Sequence, residues 1–168
     1  MADPSLSGVE MSTLVDRLHA DDASALRDLY VAYAQRLADF CFGALGDWDT
    51  AAAAVQDTML VAWASAGRLR DPALLRAWLY GIARRECSRR MDGAAPQDTS
   101  DIPGHSPARI GLAALSAHRR DLLDLAARHE LTGPEIAAIF GIPERQVPIQ
   151  VARARAAYRA QERAHIAG

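Results

Sequence analysis

The stretch TGPEIAAIFGIPERQVPIQVARAR, residues 132–155, predicts two short helices joined by a turn. Thr132 can cap the first helix, and Glu135 follows three residues later, which is the spacing of a capping box. Pro134 lies in the first turn, where a missing N–H costs least. Gly141 stands where a tight turn needs a residue that tolerates positive φ.

Three positions in this stretch have the spacing of a DNA-binding helix-turn-helix: Ala137, Gly141 and Val147. The small alanine lets the two helices approach, the glycine makes the corner, and the valine anchors the second helix. An ordinary corner between two helices of a bundle has the same pattern. The motif alone therefore leaves both interpretations open.

Composition favours helix along the rest of the 168 residues, because alanine is abundant and β-branched residues are sparse. Residues 92–108, DGAAPQDTSDIPGHSPA, lack periodicity and are typical of a flexible acidic linker. No strand-like alternation occurs on either side of it. We therefore predict an all-α fold of two small helical domains, over residues 11–91 and 109–168, after a disordered leader over residues 1–10.

Apolar residues recur at three- and four-residue steps within both domains, which predicts individual helices. The predicted helices cover residues 12–20, 23–45, 50–66, 72–91, 110–115 and 117–129. Asp47 or Asp49 can cap the third of them. In the second helix, the apolar stripe expected to face the core includes Tyr30 and Cys41.

Charge is distributed unevenly, although the net charge is only −2. Residues 1–64 carry ten acids and three Arg, whereas residues 65–90 carry seven Arg and two acids. Residues 91–108 hold three acids and no Arg, and residues 109–168 hold nine Arg and six acids. The pattern indicates an acidic module that faces a protein partner and two basic segments that face nucleic acid, although solvated helix faces would explain it too.

Several classes of protein are disfavoured by what the sequence lacks. Cys41 and Cys87 form no CxxC pair and have no His at ligand spacing, so we expect buried free thiols and no metal. The five His are scattered, and we find no nucleophilic triad and no phosphate-binding loop, so we expect neither an enzyme nor a cofactor. Without a signal peptide or a membrane-spanning apolar run, we expect a cytoplasmic protein that does not insert into membranes.

Taken together, the two modules resemble the extracytoplasmic-function (ECF) sigma factors of bacterial RNA polymerase. The resemblance covers roughly residues 23–91 and 111–160. It is carried by LYVAYAQRLADF at residues 29–40, AVQDTMLVAW at 54–63 and RAWLYGIARR at 76–85, and in the second module by EIAAIFGI and VARAR.

The resemblance implies that the first module is sigma region two. Helix 50–66 would dock on the clamp helices of the polymerase largest subunit, and its polar candidates are Asp49, Gln56 and Asp57. Family members usually carry several carboxylates before the VQDT motif, where this chain has alanines, which predicts slower association rather than lost docking.

The same resemblance implies that the final helix of the first module and the loop before it grip and melt the minus-ten promoter element. Capturing an unstacked base requires a pocket with aromatic walls and Arg on the backbone. The candidates are Arg68, Arg70, Trp78, Arg84, Arg85, Arg89 and Arg90. Trp78 also has the spacing of a core residue, and the last four arginines could simply form a solvated helix end.

The second module would then be sigma region four, which reads the minus-thirty-five element in duplex DNA while packing on the polymerase flap. Its DNA-binding candidates are Arg145, Gln146, Gln150 and Arg153. Pro148 occupies a position where family members have Lys or another polar residue, and Pro is tolerated only in the first turn of a helix. We therefore predict that this helix begins near residues 146–148 and that duplex reading is weakened.

The leading prediction is a sigma factor that binds core RNA polymerase, recognises promoter DNA and directs transcription initiation without catalysis of its own. The family usually has an anti-sigma protein, which is therefore a further expected partner. A sigma-like adaptor that acts mainly through protein partners is the alternative. A helix-turn-helix repressor is a third possibility, but it predicts a dimer on palindromic sites and leaves the first module unexplained.

Overall fold

The computed structural model describes residues 6–93 and 115–166, and within these ranges every regular element is a helix. The chain divides into two compact units, Met1–Arg90 and Met91–Gly168, so the predicted all-α, two-domain fold is confirmed. The seven α-helices of the described residues are α1 (Gly8–His19), α2 (Ala23–Leu45), α3 (Trp48–Ser65), α4 (Leu75–Gly93), α5 (Ala117–Ala127), α6 (Gly133–Phe140) and α7 (Val147–Ile166). None of them is long and apolar enough to cross a membrane.

Helix α1 begins four residues earlier than predicted. The Glu10 N–H donates to Ser7 Oγ at 3.3 Å, and the Ser7 N–H donates to the Glu10 carboxylate at 2.7 Å. This reciprocal capping box stabilises a helix that starts at Gly8. The prediction of a disordered leader is therefore wrong for residues 8–10, while residues 1–5 lie outside the described part of the chain.

Helices α2 and α3 form a hairpin whose corner is built from local signals. Gly46 ends α2 in the left-handed conformation, with φ of 77°, and its N–H donates to the Phe42 carbonyl at 2.8 Å. The Asp47 carboxylate then accepts the Thr50 N–H at 2.7 Å. Of the two predicted caps for α3, the structure therefore uses Asp47.

The core of the first unit lies where α2, α3 and α4 bury their apolar residues. Phe40 of α2 meets Tyr80 of α4 edge to face, with ring centroids 5.6 Å apart. Cys41 and Cys87 are both buried as free thiols, as predicted. Tyr30, which was expected in this core, is instead 50% exposed. The buried stripe of α2 runs through Leu29, and consecutive residues of a helix point about 100° apart around its axis, so Tyr30 lies off that stripe.

The short helices of the second unit follow the sequence signals closely. The Thr132 N–H donates to the Glu135 carboxylate at 2.8 Å, and Gly141 turns the chain with φ of 63°. The 3₁₀ turn Glu144–Gln146 leads into α7, which begins at Val147 with Pro148 in its first turn, so the predicted start of this helix is confirmed. Of the helix predicted over residues 110–115, all but Leu115 lies outside the described residues.

Candidate nucleic-acid and partner interfaces

The loop before α4 presents two of the predicted arginines to solvent. Leu69 is buried, and Arg68 and Arg70 on either side of it are exposed. The Asp71 carboxylate accepts the Ala73 N–H at 3.0 Å and starts the 3₁₀ turn Pro72–Leu74 that leads into α4. The anchored leucine and the cap together hold both guanidinium groups on the outside.

Helix α4 has an outward stripe that combines an aromatic side chain with arginine. Trp78 is half-buried, and Arg85 is exposed two turns further along the same face. Gly81 lies between them, and Arg85 Nη1 is 4.0 Å from where a Cβ on this glycine would stand, which is an ordinary contact distance. This Trp78–Arg85 stripe has the two features that capture of an unstacked base requires: an aromatic side chain and a cation on the same face of the helix.

Arg84 and Arg89 of α4 differ in their solvent exposure and in their ion pairing. Arg84 is half-buried, and Arg89 is exposed but forms an ion pair with the carboxylate of Glu86. Hydrogen bonding to that carboxylate raises the pKa of Arg89, which keeps the guanidinium charged. Arg84, Arg85 and Arg89 thus all carry exposed or half-exposed charge along α4.

Arg90 and Asp57, which were predicted to face different partners, are paired with each other. The Arg90 Nη2 donates to Asp57 Oδ2 at 2.5 Å, and Arg90 Nη1 donates to Glu86 Oε2 at 3.3 Å. The Glu86 residue is only 3% exposed, so the arginines compensate a carboxylate that burial would otherwise penalise heavily. Glu86 was not predicted at this site, although its spacing of three and four residues to Arg89 and Arg90 is a visible signal in the sequence.

The outward face of α3 is more apolar than the predicted polar candidates suggested. Asp49 and Gln56 are exposed, and Ala52 and Ala53 are exposed between them. Leu60, four residues after Gln56 on the same face, is 62% exposed. Leu60 was not predicted at this site, although its spacing in the sequence places it off the buried stripe of Val55 and Met59.

The second unit places the predicted duplex-reading residues around the start of α7. Arg145 and Arg153 are exposed, and Gln146 is half-buried. Gln150 is also half-buried, and its Oε1 lies 3.3 Å from Nε2 of His118 on α5. The His118 ring packs edge to face on Phe140, with centroids 4.9 Å apart, so Gln150 is held toward α5.

A groove of about 540 Å³ lies along α7 in the second unit, and Pro148 and Ala152 are part of its lining. Its apolar lining includes Leu131, Ile136 and Val151, and Arg155 and Arg159 are part of its wall. The groove therefore combines an apolar floor with positive charge, which suits an amphipathic acidic segment of a protein.

Part of the chain matches a known family of protein domains. Residues 29–95 match the family model Sigma-70 region 2, a range that begins within α2 and includes all of α3 and α4. Among curated proteins, none matches the sequence of the chain.

Two solved structures share the fold of the chain. One is CnrH in complex with the cytosolic domain of CnrY, with a TM-score of 0.71 and 23% identity over 90% of this chain and 96% of that one. The other is the sigma factor RpoE in complex with the anti-sigma factor NepR from Bartonella quintana, with a TM-score of 0.64 and 24% identity over 80% of this chain and 94% of that one. The predicted resemblance is thereby confirmed, by the family model for the first unit and by fold for the two units together.

Proposed function

We propose that the chain is a sigma factor of the extracytoplasmic-function class, which binds core RNA polymerase and directs it to promoters. The observation that supports this most directly is the Trp78–Arg85 stripe, because it lies within the residues that match sigma region two. Its role is to recruit the polymerase and to hold DNA, so no catalytic group is required of this chain.

The first unit would act on the minus-ten element. Melting a duplex requires that an unstacked base find a surface on which to stack, and the half-buried ring of Trp78 offers one. Arg84, Arg85 and Arg89 would neutralise the phosphates of the captured strand, and Arg68 and Arg70 would extend the positive surface into the loop. Arg90 would instead hold α4 against α3 through Asp57.

The outward face of α3 would dock on the polymerase clamp. Asp49 and Gln56 would supply the polar contacts, and Leu60 would supply the apolar centre. Interfaces gain most of their affinity from large side chains that become buried, whereas charges at the edge mainly raise the association rate. A face with few carboxylates is therefore compatible with stable docking.

The second unit would read duplex DNA at the minus-thirty-five element. Arg145 and Gln146 lie in the turn that leads into α7. Arg153 is exposed in the second turn of α7 and would contact the phosphates. Gln150 would contact adenine only if its amide turned away from His118. The apolar groove near Arg155 and Arg159 would receive the polymerase flap.

We further infer that the protein is cytoplasmic and has an anti-sigma partner. CnrH and RpoE were both solved in complexes, the second with an anti-sigma factor, and both share the fold of this chain. An anti-sigma protein would act by covering the surfaces that bind polymerase and DNA.

The alternative is a sigma-like adaptor that reads DNA poorly. The observations that favour it are the exposed Pro148 at the start of α7 and the exposed alanines of α3. A proline cannot donate a hydrogen bond from its backbone, and alanines add no charge to the docking face.

Promoter opening with purified components tests the proposal. The chain is mixed with core RNA polymerase of the same organism and a DNA fragment from upstream of its own gene, and strand opening is followed by 2-aminopurine fluorescence. We expect Arg85→Ala to slow opening about tenfold, the order expected for one lost charge-assisted contact. Arg27→Ala, an exposed arginine on α2, is the matched control and should have no effect.

The outcomes separate the candidate functions. Association with core polymerase but no opening of this fragment would favour the adaptor. No association with core polymerase would contradict the sigma-factor function.

A further inference from the structure

Helix α7 presents one large apolar side chain outward at its N-terminal end. Val147, Val151 and Ala154 are buried, whereas Ile149 in the first turn is 51% exposed. A single exposed apolar residue is common on protein surfaces and carries no argument by itself. What distinguishes Ile149 is the set of side chains that surround it.

Exposed arginines stand on both sides of Ile149 along the chain. Arg153 lies four residues later on the same face of α7, and Arg145 lies four residues earlier in the turn that leads into the helix. Between Arg145 and Arg153, the other exposed positions, Pro148 and Ala152, have no side-chain group that forms hydrogen bonds. This face therefore offers an apolar centre between two cations, which is complementary to duplex DNA approached at its major groove.

The neighbouring polar candidate is turned away from this centre. Oε1 of Gln150 faces Nε2 of His118 at 3.3 Å, and the residue is half-buried. A bidentate contact with adenine would use both that oxygen and the amide nitrogen. Ile149 is thus the large side chain that the first turn of α7 leaves available for base edges.

The edges of the four base pairs in the major groove are polar except at one place. Thymine carries a 5-methyl group there, and apolar side chains recognise it by contact. We propose that Ile149 contacts the 5-methyl group of a thymine in duplex DNA and helps to set the sequence preference of the second unit. This inference rests on the proposed role of that unit as a duplex reader.

Replacement of thymine by uracil removes only the methyl group, so it isolates this contact. A random pool of 30-base-pair duplexes is first enriched on the full chain. The enriched duplex is then synthesised with deoxyuridine at each thymine position in turn. Burial of one methyl group corresponds to about a fourfold change in Kd.

We expect one position at which uracil weakens binding of the natural chain about fourfold. Ile149→Ala should bind the thymine duplex about as weakly as the natural chain binds the uracil duplex, and it should no longer distinguish the two bases. Val31→Ala, which alters a 79% exposed valine of the first unit, is the matched control and should keep the full thymine preference.

The outcomes separate this inference from the proposed function. A specifically enriched duplex whose affinity is unchanged by uracil at every position would overturn the inference alone. Full thymine preference in Ile149→Ala would do the same. If no duplex is enriched over the random pool, the duplex-reading function fails and the inference fails with it.

Discussion

Replacement of Arg90 by methionine should destabilise the first unit, because Arg90 compensates a carboxylate that has little contact with water. Glu86 is 3% exposed, and the Arg90 side chain, 21% exposed, bridges it to Asp57 of α3. Removal of one partner of a buried pair costs about 3–5 kcal/mol in general. Two features reduce this cost: Arg89 still pairs with Glu86, and the Asp57 side chain is 50% exposed and returns to water. We therefore expect a loss of about 2 kcal/mol in the free energy of unfolding.

The distribution of tryptophan allows this loss to be measured in the full chain. The three Trp, Trp48, Trp63 and Trp78, all lie in the first unit, so their fluorescence reports the unfolding of that unit. With a urea m-value of about 1 kcal/mol/M for a unit of this size, Arg90→Met should lower the urea midpoint by about 2 M.

Two further variants test whether the buried carboxylate is the cause. Adding Glu86→Gln to Arg90→Met should restore about 1 kcal/mol, because a neutral amide costs less to bury than an unpaired carboxylate. Arg85→Met, on the exposed face of the same helix, should shift the unfolding free energy by less than about 0.5 kcal/mol. A midpoint for Arg90→Met within about 0.3 M of the natural chain would refute the reasoning, given the m-value above.

Three further predictions concern Gly141, Asp22 and Leu60. Gly141→Ala should lower the free energy of unfolding of the second unit by about 1 kcal/mol, because Gly141 has a φ of 63°. Amide hydrogen exchange in α6 and α7 measures this loss. Gly133→Ala is the control and should not destabilise the unit, because its new Cβ would lie 3.7 Å from its nearest neighbours. Hydrogen bonds to the Asp22 carboxylate, of which that from the Ser24 hydroxyl has the largest effect, lower its pKa to about 2. The stabilisation of the fold by this carboxylate should therefore be complete above pH 3.8 and lost as the pH falls through 2. An NMR titration midpoint of Asp22 near its ordinary value of 3.8 would contradict this. Leu60→Asp should weaken binding of the labelled chain to core polymerase at least about tenfold, measured by fluorescence anisotropy, with little change in stability because the residue is 62% exposed.

Much of the fold could be predicted from the sequence because the signals involved are local. A cap, a turn glycine and a first-turn proline each act through backbone groups within four residues, so Asp47, Gly46, Gly141 and Pro148 identify helix ends without any knowledge of packing. The period of apolar residues likewise identified the buried faces of α2 and α3 in outline. The start of α1 is set by an equally local signal, the capping box of Ser7 and Glu10, although that start was not predicted.

The roles of individual charged and apolar side chains depended on the tertiary structure. Arg90 and Asp57 are 33 residues apart, and no local rule distinguishes an arginine that pairs across two helices from one that faces solvent. The spacing of Leu60 places it off the buried stripe of α3, but its 62% exposure depends on which faces the packed helices leave uncovered. The engagement of Gln150 by His118 was beyond the sequence for the same reason. Backbone propensities act over a few residues and are written in the sequence, whereas side-chain partners are chosen only when distant segments meet.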